Sequence, residues 1–130
     1  MPYLLETLDA LRKSLVIVHV YLTEAHADDV WPLGYGILQP NNIEERWANA
    51  DRLFEKHDGL KERIDTIFCD NMNNDFNSTT GSWPESYMFA DKDGKCSWKS
   101  MLDDKSRGPR GEFEDVERVA RENGWWTEKE

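Results

Sequence analysis

Between Leu15 and Leu22 the sequence reads LVIVHVYL, seven apolar residues broken only by His19. A chain carrying such a run must bury it. The run is short, rich in β-branched residues and followed at once by charged residues. Its length and composition predict a strand, and its lack of alternation predicts one covered on both faces, as in a parallel sheet. At Thr23 the character changes to Thr23-Glu24-Ala25-His26-Ala27-Asp28-Asp29-Val30-Trp31. In open α/β sheets ligands sit beyond the carboxyl ends of the strands. A carboxylate and an imidazole two residues apart at that end therefore predict a reactive site. Imidazole, with an ordinary pKa near 6.5, is the natural proton carrier. A carboxylate beside it orients the ring and favours its charged form.

The rest of the chain supplies the elements for one domain of about this length. Residues 2–13 place Leu4, Leu5, Leu8 and Leu11 on one helical stripe behind Pro2, which suits a first turn. After Trp31, two glycines and two prolines make a loop as far as Pro40. Asn42 with Glu45 three residues on reads as a capping box. The helix that follows runs to about His57, with Ile43, Trp47, Ala50, Leu53 and Phe54 on its apolar face. Ile64 to Cys69 is a second strand, which delivers Asp70-Asn71-Met72-Asn73-Asn74 to the same carboxyl edge. Residues 71–82 are expected to form a loop.

Trp83-Pro84 leads into a third strand, Glu85 to Ala90. Asp93-Gly94 marks a hairpin turn, and Lys95 to Lys99 returns antiparallel. The turn lacks the further oxygen ligands and closing Glu of a calcium loop, so no metal is expected there. After a polar stretch, Phe113, Val116, Val119 and Ala120 mark a last helix ended by Asn123-Gly124. Trp125 and Trp126 are expected to pack back on the sheet.

Composition narrows the partners. The 26 Asp and Glu outweigh 16 Lys and Arg, for a net charge of −10, which argues against nucleic acid and anionic membrane. No apolar run approaches the roughly 20 residues needed to span a bilayer, and no signal peptide opens the sequence. A soluble, cytoplasmic protein is the expectation. Cys69 and Cys96 form neither a CxxC nor a zinc pattern and are expected to be reduced thiols.

Several patches, in this order along the chain, resemble the iodothyronine deiodinases. They are TEAHADDVW at residues 23–31; Ile43-Glu44-Glu45-Arg46 opening a helix; Asp70-x-Met72-x-Asn74 after a strand; Pro84-Glu85 entering a strand with Asp93-Gly94-Lys95 in the hairpin; and Arg107-Gly108-Pro109 before the last helix. The resemblance implies a thioredoxin-like, three-layer α/β domain, here in the order α-β-α-β-β-β-α. It implies an oxidoreductase that reductively removes iodide from an iodinated phenol such as thyroid hormone. The electron donor would be a thiol, with no metal or organic cofactor. By the same resemblance, Glu24 and His26 are catalytic, Arg107 and Trp31 bind substrate, and Pro84, Asp70 and Asn74 face the site. A homodimer follows by resemblance alone.

The chain also departs from that pattern. Gln39-Pro40-Asn41-Asn42 lacks the histidine that the animal enzymes carry there, and residues 100–107 form a longer connection. The family's nucleophile is a selenocysteine or cysteine in a turn ahead of the helix that matches residues 2–13. Neither Cys69 nor Cys96 stands in that place. The resemblance therefore implies a domain truncated at its N-terminus, without its first, central strand, and inactive alone. Two other readings stay open: a peroxiredoxin-like thiol peroxidase relative, and a non-catalytic thioredoxin-fold binding or interaction domain.

Overall fold

A computed structural model describes residues 2–23, 39–82, 85–100 and 108–129. Over these residues the protein is mixed α/β: four α-helices, one 3-10 turn and four short strands in two separate two-stranded sheets. The chain divides into two compact units. One is Val18–Pro84; the other joins Met1–Ile17 to Glu85–Glu130.

The first unit is a β-α-β crossover. Strand β1 (Val18–Tyr21) pairs in parallel with β2 (Thr66–Cys69), with Val20 opposite Phe68 and Tyr21 opposite Cys69. Helix α2, Ile43–Lys56, connects them and is followed by the 3-10 turn Lys61–Arg63. The predicted cap at its start is present. Asn42, in extended backbone, accepts from the Glu45 amide at 2.9 Å. The return half of the box is displaced by one residue, because the Glu45 carboxylate accepts from the amide of Asn41 at 2.6 Å.

The buried stripe of α2 also differs from the expected one. Arg46, Asn49, Ala50 and Phe54 are buried, whereas Trp47 is exposed. Arg46, Asn49, Ala50, Leu53 and Phe54 follow the 3.6-residue period as well as the expected set does, so two polar residues sit on the inward face. His19 of β1 meets Phe54 edge-to-face at 5.1 Å, and burial lowers its pKa, favouring the neutral ring.

The expectation that the first strand is buried on both faces is corrected. Val16 is 75% exposed and Val18 50%. Leu15 and Ile17 pack against the core of the other unit, and His19 and Tyr21 are half-buried and buried. Burial alternates from Leu15 to His19, with Val16 and Val18 exposed, while Val20 is half-buried and Tyr21 buried, so the run is only partly covered on the Val16–Val18 side. The paired strand is also shorter than the run, because Leu15 and Ile17 belong to a different unit from Val18–Tyr21.

Residues 75–80, expected as loop, form a short helix, α3 (Asp75–Thr80). The order is thus α-β-α-β-α-β-β-α, with one more helix than the sequence suggested.

The second unit packs α1, Pro2–Leu11, and α4, Glu112–Glu122, with an antiparallel hairpin of β3, Met88–Ala90, and β4, Cys96–Lys99. Its turn is the predicted one. Asp91 accepts from the amides of Asp93 and Lys95 at 2.9 and 3.0 Å, and Gly94 takes φ +80, where a side chain would be strained. The core is Leu11, Phe89, Val116, Val119 and Ala120. Both Trp125 and Trp126 pack against it as expected, and Trp125 meets Phe89 at 5.0 Å. A tail hydrogen bond from the Thr127 amide to the Ala10 carbonyl, 2.8 Å, ties the chain end to α1.

Candidate functional site

Chain direction dictates where chemistry can gather in the first unit. Both parallel strands end at the same edge, and α2 begins close to it. Arg46, in the first turns of α2, is 3% exposed. Its Nη1 donates to the carbonyls of Asp70, 3.0 Å, and Asn71, 2.6 Å, just beyond β2. Its Nη2 donates to Thr23 Oγ1, 3.2 Å, just beyond β1, and to Asn74 Oδ1, 3.1 Å. Thr23 closes the knot by donating to Asn74 Oδ1 at 2.6 Å. One guanidinium thus joins a helix, both strand ends and the following loop. A guanidinium suits this task because its planar fork carries five donors in fixed directions. Its Nε is buried without a partner.

Asp70, 4% exposed, shapes the loop from inside. Its carboxylate accepts from three backbone amides, those of Asn71, Phe76 and Asn77, each at 2.9 Å. The last two belong to α3, whose opening amides lack partners within the helix. Asn71 Oδ1 takes the Asp75 amide at 3.0 Å. Asn74 holds left-handed backbone, φ 58 and ψ 40, a conformation asparagine tolerates better than most residues. Capping side chains several residues upstream thus explain why an Asn/Ser/Thr-rich stretch, read as loop from its composition, closes a helical turn.

Of the seven residues predicted for the site, Asp70 and Asn74 fall within this knot. Glu24, His26, Trp31, Pro84 and Arg107 lie outside the described residues. The residue that sequence reasoning passed over is Arg46. Its signal was weak: Arg46 shares the 3.6-residue stripe of Ala50, Leu53 and Phe54, but so does the polar Asn49, and the acceptors that receive a buried cation are not local.

Cys69, the last residue of β2, borders this edge. Burial pushes its thiol up to about 11, against the opposing pull of the Arg46 charge, with Asp51 adding to the rise. The thiol therefore stays protonated at neutral pH, which suits a structural residue rather than a nucleophile. At pH 8 about a thousandth is thiolate, and alkylation of Cys69 by iodoacetamide in the folded protein is expected to quicken about tenfold per pH unit up to about pH 11. Mass-spectrometric rates at Cys69 check this. A rate that levels off near pH 8 would contradict it.

Elsewhere, an open cleft of about 420 Å³ lies at the far end of α2, lined by Phe54, His57, Lys61 and Glu62 among others. Neither Asp70 nor Asn74 lines it. Among the described residues no group of three or more His, Cys, Asp and Glu side chains is placed to hold a metal ion. Nor is any helix among them long and apolar enough to cross a membrane. No family model matches the chain, and no curated protein matches it.

Proposed function

We propose that this chain is a deiodinase-like oxidoreductase domain of thioredoxin-like type. Its family chemistry is the reductive removal of iodide from an iodinated phenol. The observation that carries the reading is the convergence of three separate patches of resemblance in one hydrogen-bond knot. Thr23 opens the TEAHADDVW segment, Arg46 ends Ile43-Glu44-Glu45-Arg46, and Asp70 and Asn74 belong to Asp70-x-Met72-x-Asn74. Patches 23 to 51 residues apart in sequence have no local reason to share partners. A common active-site edge gives them one. Glu24 directly follows Thr23 in the sequence.

In this reading the C–I bond breaks, a proton reaches the ring carbon, and iodide leaves. Two thiol equivalents supply the electron pair and end as a disulfide. His26 delivers the proton and Glu24 orients its ring. Arg107 and Trp31 hold the substrate, while Pro84, Asp70 and Asn74 shape the rim. The selenolate or thiolate comes from neither Cys69 nor Cys96, so residues 1–130 by themselves are inactive. A peroxidase relying on Cys69 is disfavoured by its protonated thiol.

The test is iodide release from an iodinated phenol with dithiothreitol. Residues 1–130 alone are expected to give none. A fusion that places a cysteine-bearing strand and turn ahead of residue 1 is expected to release iodide, and His26→Ala to abolish that release. Release by the unfused chain, or none from a folded fusion, overturns the reading.

A further inference from the structure

We propose that His19 is an acid-sensitive latch: its neutral ring lets α2 close on the β1–β2 sheet, and taking up a proton loosens that helix together with the clamp that Arg46 holds on both strand ends. The latch works whatever reaction the chain performs.

Strand register places the ring. His19 and Tyr21, two apart on β1, share one face of the sheet with their β2 partners Ile67 and Cys69. Helix α2 lies against that face, for the rings of His19 and Phe54 meet edge-to-face at 5.1 Å. Tyr21 and Phe54 are each 8% exposed, and Ala50, one turn before Phe54, is 1% exposed. A titratable ring thus sits in an apolar seam. Neutral imidazole carries one N–H donor, whereas imidazolium carries two and a full charge. Burying a charge costs far more than burying a neutral polar group.

The groups on the neighbouring elements favour the neutral ring. On the inward face of α2 the charged residue is Arg46, and a cation there disfavours a second one. The acids of α2 and of the turn after it, Glu44, Glu45, Asp51, Glu55, Asp58 and Glu62, are all exposed. The Asp70 carboxylate is taken by three amides beyond β2. The other titratable groups on these elements are the protonated Cys69 thiol and His57 at the end of α2.

Helix geometry carries the effect to the edge. Arg46 lies two turns, about 12 Å, before Phe54 on the same helix. A displacement of α2 from the sheet at Phe54 therefore reaches the guanidinium bonds to Thr23, Asn74 and the carbonyls of Asp70 and Asn71.

Burial lowers the pKa of the ring from its ordinary 6.5. The folded protein then binds fewer protons at His19 than the unfolded chain does. The stabilisation is complete above about pH 6.5 and is lost as pH falls through the lowered value.

Hydrogen exchange of the 130-residue chain, read by mass spectrometry between about pH 7.5 and 5 and corrected for the intrinsic rate, is the test. Protection of residues 43–56 and 66–70 is expected to fall by about two- to tenfold over that range, one proton giving at most about tenfold per pH unit. In His19→Leu, which cannot titrate, protection is expected to stay within about twofold. No fall in the unaltered protein, or a fall that persists in His19→Leu, overturns the proposal. Should His19→Leu fail to fold, the His19 ring protons of the unaltered protein decide by NMR. A midpoint below about 6.5 that tracks the loss of protection upholds the latch, and any other result overturns it. No iodide is measured, so failure here leaves the proposed reaction standing.

Discussion

Asp70→Ala is expected to lower stability by about 3–4 kcal/mol, a large part of the roughly 5–15 kcal/mol that holds a domain together. The carboxylate accepts three amide hydrogen bonds at 2.9 Å, and its residue is 4% exposed. Hydrogen bonds to a charged group contribute about 1.5–3 kcal/mol each, and they are not additive. Some of the freed amides reach water, because α3 has no buried residue. That holds the loss below the simple sum. Asp70→Asn keeps one oxygen as acceptor and is expected to lose about half as much. Urea unfolding followed by circular dichroism measures both. A loss below about 1 kcal/mol for Asp70→Ala would mean that the loop does not depend on this carboxylate.

Phe89→Ala is expected to cost about 3–5 kcal/mol, the usual range for removing a buried ring. Phe89 belongs to the core cluster of the second unit, with ring centroids 5.7 Å from Trp98 and 5.0 Å from Trp125. Two large aromatic neighbours cannot collapse into the space of a lost ring without leaving their own contacts, so the cavity term stays large. Phe89→Leu, which keeps most of the volume, is expected to cost less than about 1.5–2 kcal/mol. Denaturant midpoints give the energies, and tryptophan emission reports the loosened packing around Trp98 and Trp125. A Phe89→Ala protein as stable as Phe89→Leu would contradict this account of the core.

The two effects differ in how far the sequence foretells them. The core of the second unit was legible: Phe113, Val116, Val119 and Ala120 repeat at helical spacing, and the Asp93-Gly94 turn brings β3 against β4. Such signals are local, fixed by backbone geometry within a few residues. The role of Asp70 was not legible, because its partners Phe76 and Asn77 are amides, and every residue type but proline carries one. The burial of Arg46 was hidden for a related reason. Its acceptors lie 23 to 28 residues away, in the segments just beyond β1 and β2. Their arrival depends on the crossover closing.

Strand limits failed for a third reason. Apolar content marked Leu15–Leu22 as one element, but pairing decides where a strand ends, and only Val18–Tyr21 found partners in β2.

By itself the sequence determined α1, α2 and α4, the hairpin turn and the parallel crossover, because each is written in short-range periodicity, capping and chain direction. Tertiary structure alone decided that the apolar run is shared between two units, that Val16 and Val18 stay exposed, and that a buried arginine and aspartate build the edge. Those outcomes turn on which groups meet across the chain, and a free energy of meeting is a property of pairs rather than of positions.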